Sequence, residues 1–187
     1  RIINDKNQLI RIDDEQIYNM GELSNNLKRK IKSVIKKASL VIISDYGKGF
    51  CTKSICQFII KYSNKKNIKV IVDPRKNFND YEKYVDADFI TPNLNELRLL
   101  FPKLKNNNKD IFVSSKTIIN KYRIKNVITT RSEKGISFTN ENMNINIKTN
   151  VKKVFDVSGA GDTVVAVFSI LFILNKSIEE CLKISNK

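Results

Sequence analysis

The residues best suited to chemistry lie in one glycine-rich turn near the carboxyl end of the chain. Residues 156–163 read Asp-Val-Ser-Gly-Ala-Gly-Asp-Thr, and an apolar run at 164–174 follows directly. A turn of this kind at a helix start directs backbone N–H groups and the positive helix end toward one point, where a phosphate is held. Asp162 ends the turn, and a carboxylate beside a bound phosphate is repelled unless it has a proton to accept, which indicates a general base. We expect the turn to form an anion hole from Gly159, Ala160 and Gly161.

The turn does not fit the two common phosphate-binding motifs. Walker-type loops end in Gly-Lys followed by Ser or Thr, whereas Asp162 and Thr163 follow the last glycine here. Dinucleotide-binding turns space their glycines as G-x-G-x-x-G, and the third glycine is missing after Gly159 and Gly161. Taken by itself, the octapeptide is also compatible with a hairpin or with the capped start of a core helix.

The composition favours a folded enzyme over a nucleic-acid-binding protein. The 187 residues are 41% apolar, which suits one domain with a buried core. The formal net charge is +15, but the basic residues are scattered along the chain. Their densest group lies at 28–37, on a segment whose apolar residues recur at helical spacing. We interpret this group as a solvated helix face and expect no nucleic acid partner.

The rare residue types narrow the chemistry and the location. Histidine is absent, so carboxylates must perform any proton transfer near neutral pH. Cys51, Cys56 and Cys181 form no C-x-x-C pair, which suggests neither a disulfide framework nor a zinc site and fits a reducing cytoplasm. The apolar run at 164–174 is too short to span a bilayer, and no basic-then-apolar leader opens the chain. We expect a soluble, cytoplasmic protein with no membrane partner.

Short apolar runs alternate with amphipathic segments at the spacing of βαβ units. Strands are predicted at 2–3, 8–13, 40–43, 69–72, 88–90, 126–129, 136–139 and 143–147. Four helices are predicted to begin at the capping residues Ser24, Thr52, Ser115 and Ser177. The alternation predicts an α/β fold with a doubly wound, mostly parallel sheet and helices on both faces. The last two strands are expected to form a hairpin at the sheet edge.

Polar clusters follow four of the predicted strands. They read Ser-Asp-Tyr-Gly-Lys-Gly at 44–49, Asp-Pro-Arg at 73–75, Thr-Pro-Asn-Leu-Asn-Glu at 91–96 and Thr-Arg-Ser-Glu-Lys-Gly at 130–135. Because the carboxyl ends of parallel strands meet at one edge, we expect these clusters to form a single crevice. Taken alone, an N-x-x-E cluster is also a common helix start, and Asp-Pro-Arg is equally a plain turn.

The octapeptide at 156–163 resembles the second signature of the ribokinase (PfkB) family of sugar kinases. The resemblance implies that Asp162 deprotonates the sugar hydroxyl and that ATP and Mg²⁺ are the cofactors. The cluster at 91–96 matches the family's N-x-x-E motif, in which Asn93 and Glu96 organise Mg²⁺ through its waters and Leu94 and Asn95 accompany them at the nucleotide. The cluster at 130–135 is similar to the family's nucleotide loop, often T-x-G-x-x-G, which implies nucleotide contacts from Thr130, Arg131, Ser132 and Gly135. Ser132 replaces the first glycine of that loop.

Within the family, all four polar clusters resemble the heptose 7-phosphate kinases of lipopolysaccharide precursor synthesis. This resemblance implies phosphorylation of D-glycero-D-manno-heptose 7-phosphate, a small-molecule sugar phosphate, at its anomeric hydroxyl. Asp45, Lys48 and Arg75 are the candidates for the sugar side. Two alternatives remain open: another ribokinase-type sugar or nucleoside kinase, and a truncated, non-catalytic remnant that binds nucleotide.

The resemblance also predicts what surrounds this chain in its relatives. Residues 1–187 correspond to a ribokinase-like kinase domain without the family's N-terminal and C-terminal parts. Residues 1–16 correspond to the end of the lid sheet, so the sugar-covering lid is expected to be largely missing. In bifunctional relatives a nucleotidyltransferase domain lies further on, and the resemblance leaves a homodimer open.

Overall fold

The structure is a computed structural model that describes residues 2–4, 7–10, 12, 16, 17, 21, 23–74, 80–149 and 159–186. The strands are β1 (Ile2–Asn4), β2 (Asn7–Ile10), β3 (Leu40–Ser44), β4 (Lys69–Asp73), β5 (Phe89–Ile90), β6 (Asn126–Thr130), β7 (Ile136–Thr139) and β8 (Asn144–Ile147). The α-helices are α1 (Asn25–Ile35), α2 (Lys53–Lys65), α3 (Leu94–Leu100), α4 (Asn108–Tyr122), α5 (Ala160–Ile173) and α6 (Ile178–Ser185). Two short 3₁₀ helices, Glu82–Tyr84 and Ser132–Lys134, precede β5 and β7.

The central sheet has six strands in the order β3-β4-β5-β6-β7-β8. Strands β3 to β6 are parallel, with Leu40 opposite Lys69 and Phe89 opposite Asn126. Strand β7 pairs antiparallel with β6, and β8 pairs antiparallel with β7. The predicted mostly parallel α/β sheet is therefore confirmed, and so is the hairpin at its edge.

Two further strands lie within the first 16 residues. β1 and β2 pair antiparallel with each other and form a sheet separate from the central one. The sequence predicted strands at these positions, at 2–3 and from residue 8 onward. The assignment of residues 1–16 to a lid remains a prediction.

Helices cover both faces of the central sheet, as the sequence predicted. Because side chains alternate along a strand, Val70 and Val72 of β4 face one side while Ile71 faces the other. On the first side, the strands pack against α2, α3 and α4, with Ile60, Leu97, Ile111, Ile118 and Tyr122 fully or almost fully buried. On the second side, α5 and α6 contribute Val165, Phe168, Cys181 and Leu182. Burial of each large apolar side chain stabilises the fold by about 1.5–3 kcal/mol.

Three of the predicted helix starts are confirmed by capping hydrogen bonds. Ser24 accepts from Leu27 N, Thr52 from Ile55 N, and Ser177 from Glu180 N. Each cap satisfies one of the N–H groups that a helix start leaves without an intrahelical partner.

The predicted helix start at Ser115 is wrong. Helix α4 begins seven residues earlier, at Asn108, with Asn107 as its cap. The Asn107 side chain accepts from Asp110 N at 2.8 Å, so the asparagine run at 106–108 contains a specific capping residue. Ser115 lies in the middle of α4, where its hydroxyl is buried.

Two further observations concern the described helices and the cysteines. Among the helices that the structure describes, none combines the length and the apolarity needed to cross a bilayer. All three cysteines are free thiols; Cys56 and Cys181 are buried and Cys51 is partly exposed.

Candidate active site

The carboxyl ends of β3 to β6 form one continuous edge. Asp45 N donates to Asp73 O at 3.0 Å, which joins the residue after β3 to the end of β4. Further along, Asn93 forms an isolated parallel bridge with Thr130, at the end of β6. Because Thr130 is paired with Ile136 of β7, the loop between β6 and β7 also lies at this edge. The four polar clusters of the sequence therefore follow strands that end side by side.

The glycine-rich turn lies at the start of α5. Gly159 is the N-cap, with φ 84° and ψ −2°, a left-handed conformation that favours glycine. Ala160, Gly161 and Asp162 are the first three helical residues, and all are exposed. The first N–H groups of a helix have no intrahelical partner, so this start has donors directed at solvent that suit an anion. Residues 156–158 of the motif lie outside the described residues.

Asp162 contacts the polar cluster that follows β3. The Tyr46 hydroxyl donates a hydrogen bond to Asp162 Oδ1 at 3.1 Å, across a separation of 116 residues. Both side chains are exposed, and the Tyr46 residue is 66% exposed. This contact joins the helix start with the proposed base to the edge of the sheet.

Residues 45–51, which we call the β3 turn, are held by two residues of the 3₁₀ helix Glu82–Tyr84. The Asp45 carboxylate is buried, with the residue only 6% exposed. It accepts hydrogen bonds from Gly47 N at 2.7 Å, from the Tyr84 hydroxyl at 2.7 Å and from the Lys83 ammonium. Lys83 Nζ also donates to Cys51 O at 3.1 Å, so a single ammonium group holds both ends of the turn. Buried charges are tolerated when they are paired and hydrogen-bonded in this way.

Two of the three candidates for the sugar side, Asp45 and Lys48, lie in this turn. A cleft of about 350 Å³ opens beside it and is lined in part by Asp45, Gly47 and Lys83. Its volume lies within the range of about 300–1,000 Å³ that is usual for small-molecule sites. Lys48 belongs to the same turn and is half-buried. Arg75, the third candidate, lies outside the described residues.

Asn93 and Glu96 form a reciprocal capping box at the start of α3. Asn93 Oδ1 accepts from Glu96 N at 2.9 Å, while Glu96 Oε2 accepts from Asn93 N at 2.9 Å. The second carboxylate oxygen, Glu96 Oε1, accepts from Asn93 Nδ2 at 2.7 Å. Glu96 is 5% exposed, Leu94 is half-buried and Asn95 is exposed. The box fixes the amide and the carboxylate relative to each other at the sheet edge.

The oxygen donors at this position suit Mg²⁺ bound through its waters. Mg²⁺ prefers oxygen ligands and keeps several waters, so it needs only one or two protein carboxylates. In the part of the chain that the structure describes, no group of three or more acidic or cysteine side chains forms a direct metal cage. The buried Tyr81 lies near two carboxylates: burial first, and then the charges of Glu96 and Asp73, raise the pKa of its hydroxyl. Two carboxylates, those of Glu96 and Asp73, thus lie near the same buried hydroxyl at this edge.

The loop at 130–135 is a tight turn whose backbone requires two unusual conformations. Ser132, which replaces a glycine of the family motif, has φ 53°. Gly135 has φ 86°, and a Cβ added there would lie 2.0 Å from Ile147 O. Arg131 N donates to Gly135 O at 2.8 Å, and Gly135 N donates to Ser132 O at 2.9 Å, which closes the turn. The path of this loop is therefore fixed by backbone bonds despite the missing glycine.

The Arg131 side chain points into the protein. Arg131 is 2% exposed, and burial lowers the pKa of its guanidinium. The guanidinium donates to four polar side chains on three segments: Asn106 at 2.9 Å, Asn108 at 2.6 Å, Ser137 at 2.9 Å and Asn146 at 3.2 Å. Its side chain thus ties the loop to β7, to β8 and to the start of α4.

Comparison with known proteins identifies the family. The profile described as pfkB family carbohydrate kinase matches residues 6–187. The chain belongs to the pfkB family. Its fold is that of a carbohydrate kinase of this family, and solved structures agree with that placement. Arabidopsis thaliana ribokinase complexed with ribose and ATP superposes with a TM-score of 0.72 and 22% identity, covering 88% of this chain and 51% of that one. Phosphofructokinase-2 from Escherichia coli in complex with fructose-6-phosphate gives a TM-score of 0.67 and 21% identity, covering 88% of this chain and 55% of that one.

Proteins similar in sequence include several that bear the name Bifunctional protein HldE. The relative from Campylobacter curvus (strain 525.92) is 34% identical over 186 residues, which is 100% of this chain and 39% of the relative. The relative from Haemophilus influenzae (strain PittGG) is 34% identical over 187 residues, which is 100% of this chain and 38% of the relative. The pfkB chain described here thus spans less than two fifths of the length of these relatives.

Three residues of this pfkB site were not assigned a role from the sequence. Tyr46 belongs to the polar cluster at 44–49, yet nothing in that cluster indicated that its hydroxyl contacts Asp162. Lys83 and Tyr84 lay outside every motif. One signal was available, because an aspartate that is buried directly after an apolar strand must be paired, and a cation for Asp45 was therefore to be expected. With so many lysines in the chain, that signal did not identify Lys83.

Proposed function

We propose that the chain carries the phosphoryl-transfer site of an ATP-dependent kinase for D-glycero-D-manno-heptose 7-phosphate. The reaction is phosphorylation of the anomeric hydroxyl in ADP-heptose and lipopolysaccharide core precursor synthesis, in the cytoplasm. The observation that carries the proposal is the position of Asp162: it is exposed at the glycine-rich start of α5 and contacts the β3 turn through Tyr46. The identity of the sugar is supported by the four polar clusters and by the 34% identity to Bifunctional protein HldE.

Asp162 acts as the general base. Its carboxylate takes the proton of the sugar hydroxyl as that oxygen forms a bond to the γ-phosphorus, and the bond to the bridging oxygen of ADP breaks. Backbone N–H groups at Gly159, Ala160 and Gly161 stabilise the negative charge on the equatorial oxygens. By analogy with other oxyanion sites, each such donor contributes about 2.7–4 kcal/mol to transition-state stabilisation.

The nucleotide side is formed by the capping box and the loop at 130–135. Asn93 and Glu96 would hold Mg²⁺ through its waters, and the ion supplies neutralisation of the phosphate charge. Thr130 and Ser132 present backbone groups to the nucleotide, beside the start of α3 with Leu94 and Asn95, and Gly135 contributes by closing the loop through its own N–H and carbonyl. Arg131 contributes by holding the loop in place, since its guanidinium is committed to four protein acceptors.

The sugar side is assigned to the β3 turn and its surroundings. Asp45 shapes the turn through its buried carboxylate, while Lys48 and Arg75 are the cations proposed for the phosphate of the substrate. Arginine meets phosphate with two parallel hydrogen bonds, and lysine meets it as a point charge. A kinase for another sugar or for a nucleoside would need the same base and the same nucleotide side, so the substrate itself must be tested.

The direct test measures ADP release from Mg²⁺-ATP with heptose 7-phosphate and with a panel of other sugars and nucleosides. Turnover with the heptose phosphate is expected, and Asp162→Asn is expected to abolish it while leaving ATP affinity within about tenfold. Faster turnover of a different panel member would replace the proposed substrate. Loss of ATP binding together with turnover in Asp162→Asn would contradict the assignment of Asp162 as the base.

A further inference from the structure

Four of the helices that the structure describes carry an acidic residue at the third helical position, and one of these acids has a different kind of hydrogen-bond partner. In α3, α4 and α6 the carboxylate bends back and accepts from a backbone N–H at or just before its own N-cap. These bonds are Asn93 N to Glu96 Oε2 at 2.9 Å, Lys105 N to Asp110 Oδ2 at 3.0 Å and Ser177 N to Glu180 Oε2 at 3.1 Å. This is the usual behaviour of an acid at that position. In α5 the corresponding residue is Asp162, and within the described residues its hydrogen-bond donor is the Tyr46 hydroxyl.

The backbone of Tyr46 is anchored through the preceding residue, Asp45. It directly follows Asp45, whose carboxylate is buried and bonded to Lys83 and Tyr84. The ring of Tyr46 is exposed, so the position of its hydroxyl depends on this anchored backbone and on Asp162. The 3₁₀ helix Glu82–Tyr84, the β3 turn and Asp162 are therefore connected through consecutive contacts.

We propose that Tyr46 is a positioning residue for the base, an inference that rests on the proposed function. Its hydroxyl holds the Asp162 carboxylate away from the N–H groups of its own helix, where those donors are needed for the phosphoryl group. A carboxylate has two oxygens and about four acceptor positions. With Oδ1 bound to Tyr46, Oδ2 is the oxygen that takes the proton of the sugar. Tyr46 also belongs to the β3 turn, so the turn assigned to the sugar side sets the orientation of the base.

Steady-state kinetics of Tyr46→Phe test this role. The variant lacks only the hydroxyl, so the carboxylate is free to bend back toward the start of α5. A hydrogen bond to a charged group has a strength that corresponds to about tenfold or more in rate, so kcat should fall by about that factor. An interaction that matters only in the transition state lowers kcat and kcat/KM together, so KM for the sugar and for ATP should stay within about threefold.

Tyr62→Phe is the matched control. It removes the same hydroxyl from a tyrosine of α2 whose ring stacks on Phe58, away from Asp162. This variant should keep the kcat and KM of the parent protein. Unchanged kcat in Tyr46→Phe, or a rise in sugar KM with kcat preserved, would overturn the positioning role.

Tyrosine emission gives a second measurement that does not depend on turnover. The chain contains six tyrosines and no tryptophan, so its emission comes from tyrosine alone. A phenol that donates to a carboxylate emits weakly, so Asp162→Ala should raise the emission of the parent chain but not that of Tyr46→Phe. Equal increases in both backgrounds would show that the contact is absent and overturn the inference. If Asp162→Ala raises the emission only when Tyr46 is present, but the protein phosphorylates no sugar, the proposed function is refuted and the contact between Tyr46 and Asp162 stands.

Discussion

Replacing Gly135 with alanine should destabilise the protein by about 4 kcal/mol, because two separate costs meet at this position. Gly135 has φ 86° and ψ −133°, a region of backbone conformation that is essentially restricted to glycine. The added methyl group would also lie 2.0 Å from Ile147 O, 2.7 Å from Thr149 N and 2.9 Å from Lys148 C. These are backbone atoms at the end of β8, so they cannot move away by a rotamer change.

The magnitude follows from the two costs. An unfavourable conformation of this kind costs about 1–3 kcal/mol, and forcing extra atoms into a packed site costs about 1–3 kcal/mol more. The unfolding entropy of a 187-residue chain is about 0.4 kcal/mol/K near 60 °C, so a loss of about 4 kcal/mol lowers Tm by about 10 °C. Thermal unfolding followed by circular dichroism, with urea titration as a second measure, gives both quantities.

Two other glycines allow the cost of the backbone conformation to be measured separately from the cost of the close contact. Gly159 has φ 84° but no atom within 4 Å of an added Cβ, so Gly159→Ala should cost only about 1 kcal/mol from its backbone conformation. Gly161 is helical and equally open, so Gly161→Ala should stabilise by about 0.5 kcal/mol. If Gly135→Ala proves as mild as Gly159→Ala, the close approach of β8 to the loop at 130–135 is refuted.

Three further predictions concern single side chains. Ser132→Gly should stabilise the protein by about 1 kcal/mol in urea titration, because Ser132 has φ 53° and glycine adopts that conformation without strain; a loss of stability would contradict this. Arg131→Met should destabilise the protein by about 2–3 kcal/mol in the same assay, because it leaves buried acceptors on Ser137 and its neighbours without donors. An unchanged free energy of unfolding would show that the buried network is not formed. Hydrogen bonds from Ser177 lower the pKa of Glu180 below its ordinary 4.5, so the folded state binds this proton less readily than the unfolded state. The advantage of the parent over Glu180→Gln should therefore be fully present well above pH 4.5 and should shrink as the pH falls below about 4.5 in unfolding titrations; a constant difference would refute the assignment.

The sequence predicted the elements of this fold because each is specified by local patterns. The apolar run at 40–43 became β3, and Ser24 and Thr52 begin the helices they were expected to cap. The start of α4 was missed for a local reason as well: three consecutive asparagines look like compositional bias, and only the geometry singles out Asn107 as the cap.

The site was only partly predictable because its contacts are long-range. Strand ends and motif spacing place Asn93 and Thr130 at one edge, and the parallel sheet brings them together. No local pattern shows that Tyr46 meets Asp162, since the two are 116 residues apart. The burial of Arg131 was equally hidden, because arginine in a loop motif is usually exposed and its acceptors come from three other segments.

The strand order of the central sheet has a consequence for how the protein is made. Strands β3 to β8 lie in the sheet in the order in which they are synthesised, so each new strand adds beside the one before it. The edge with Asn93 and Thr130 is complete before α5 leaves the ribosome, because α5 comes later in the chain. Asp162 then joins a sheet that already exists, and its contact with Tyr46 forms after that edge. A growing chain therefore acquires the edge proposed for the nucleotide before it acquires the residue proposed as the base.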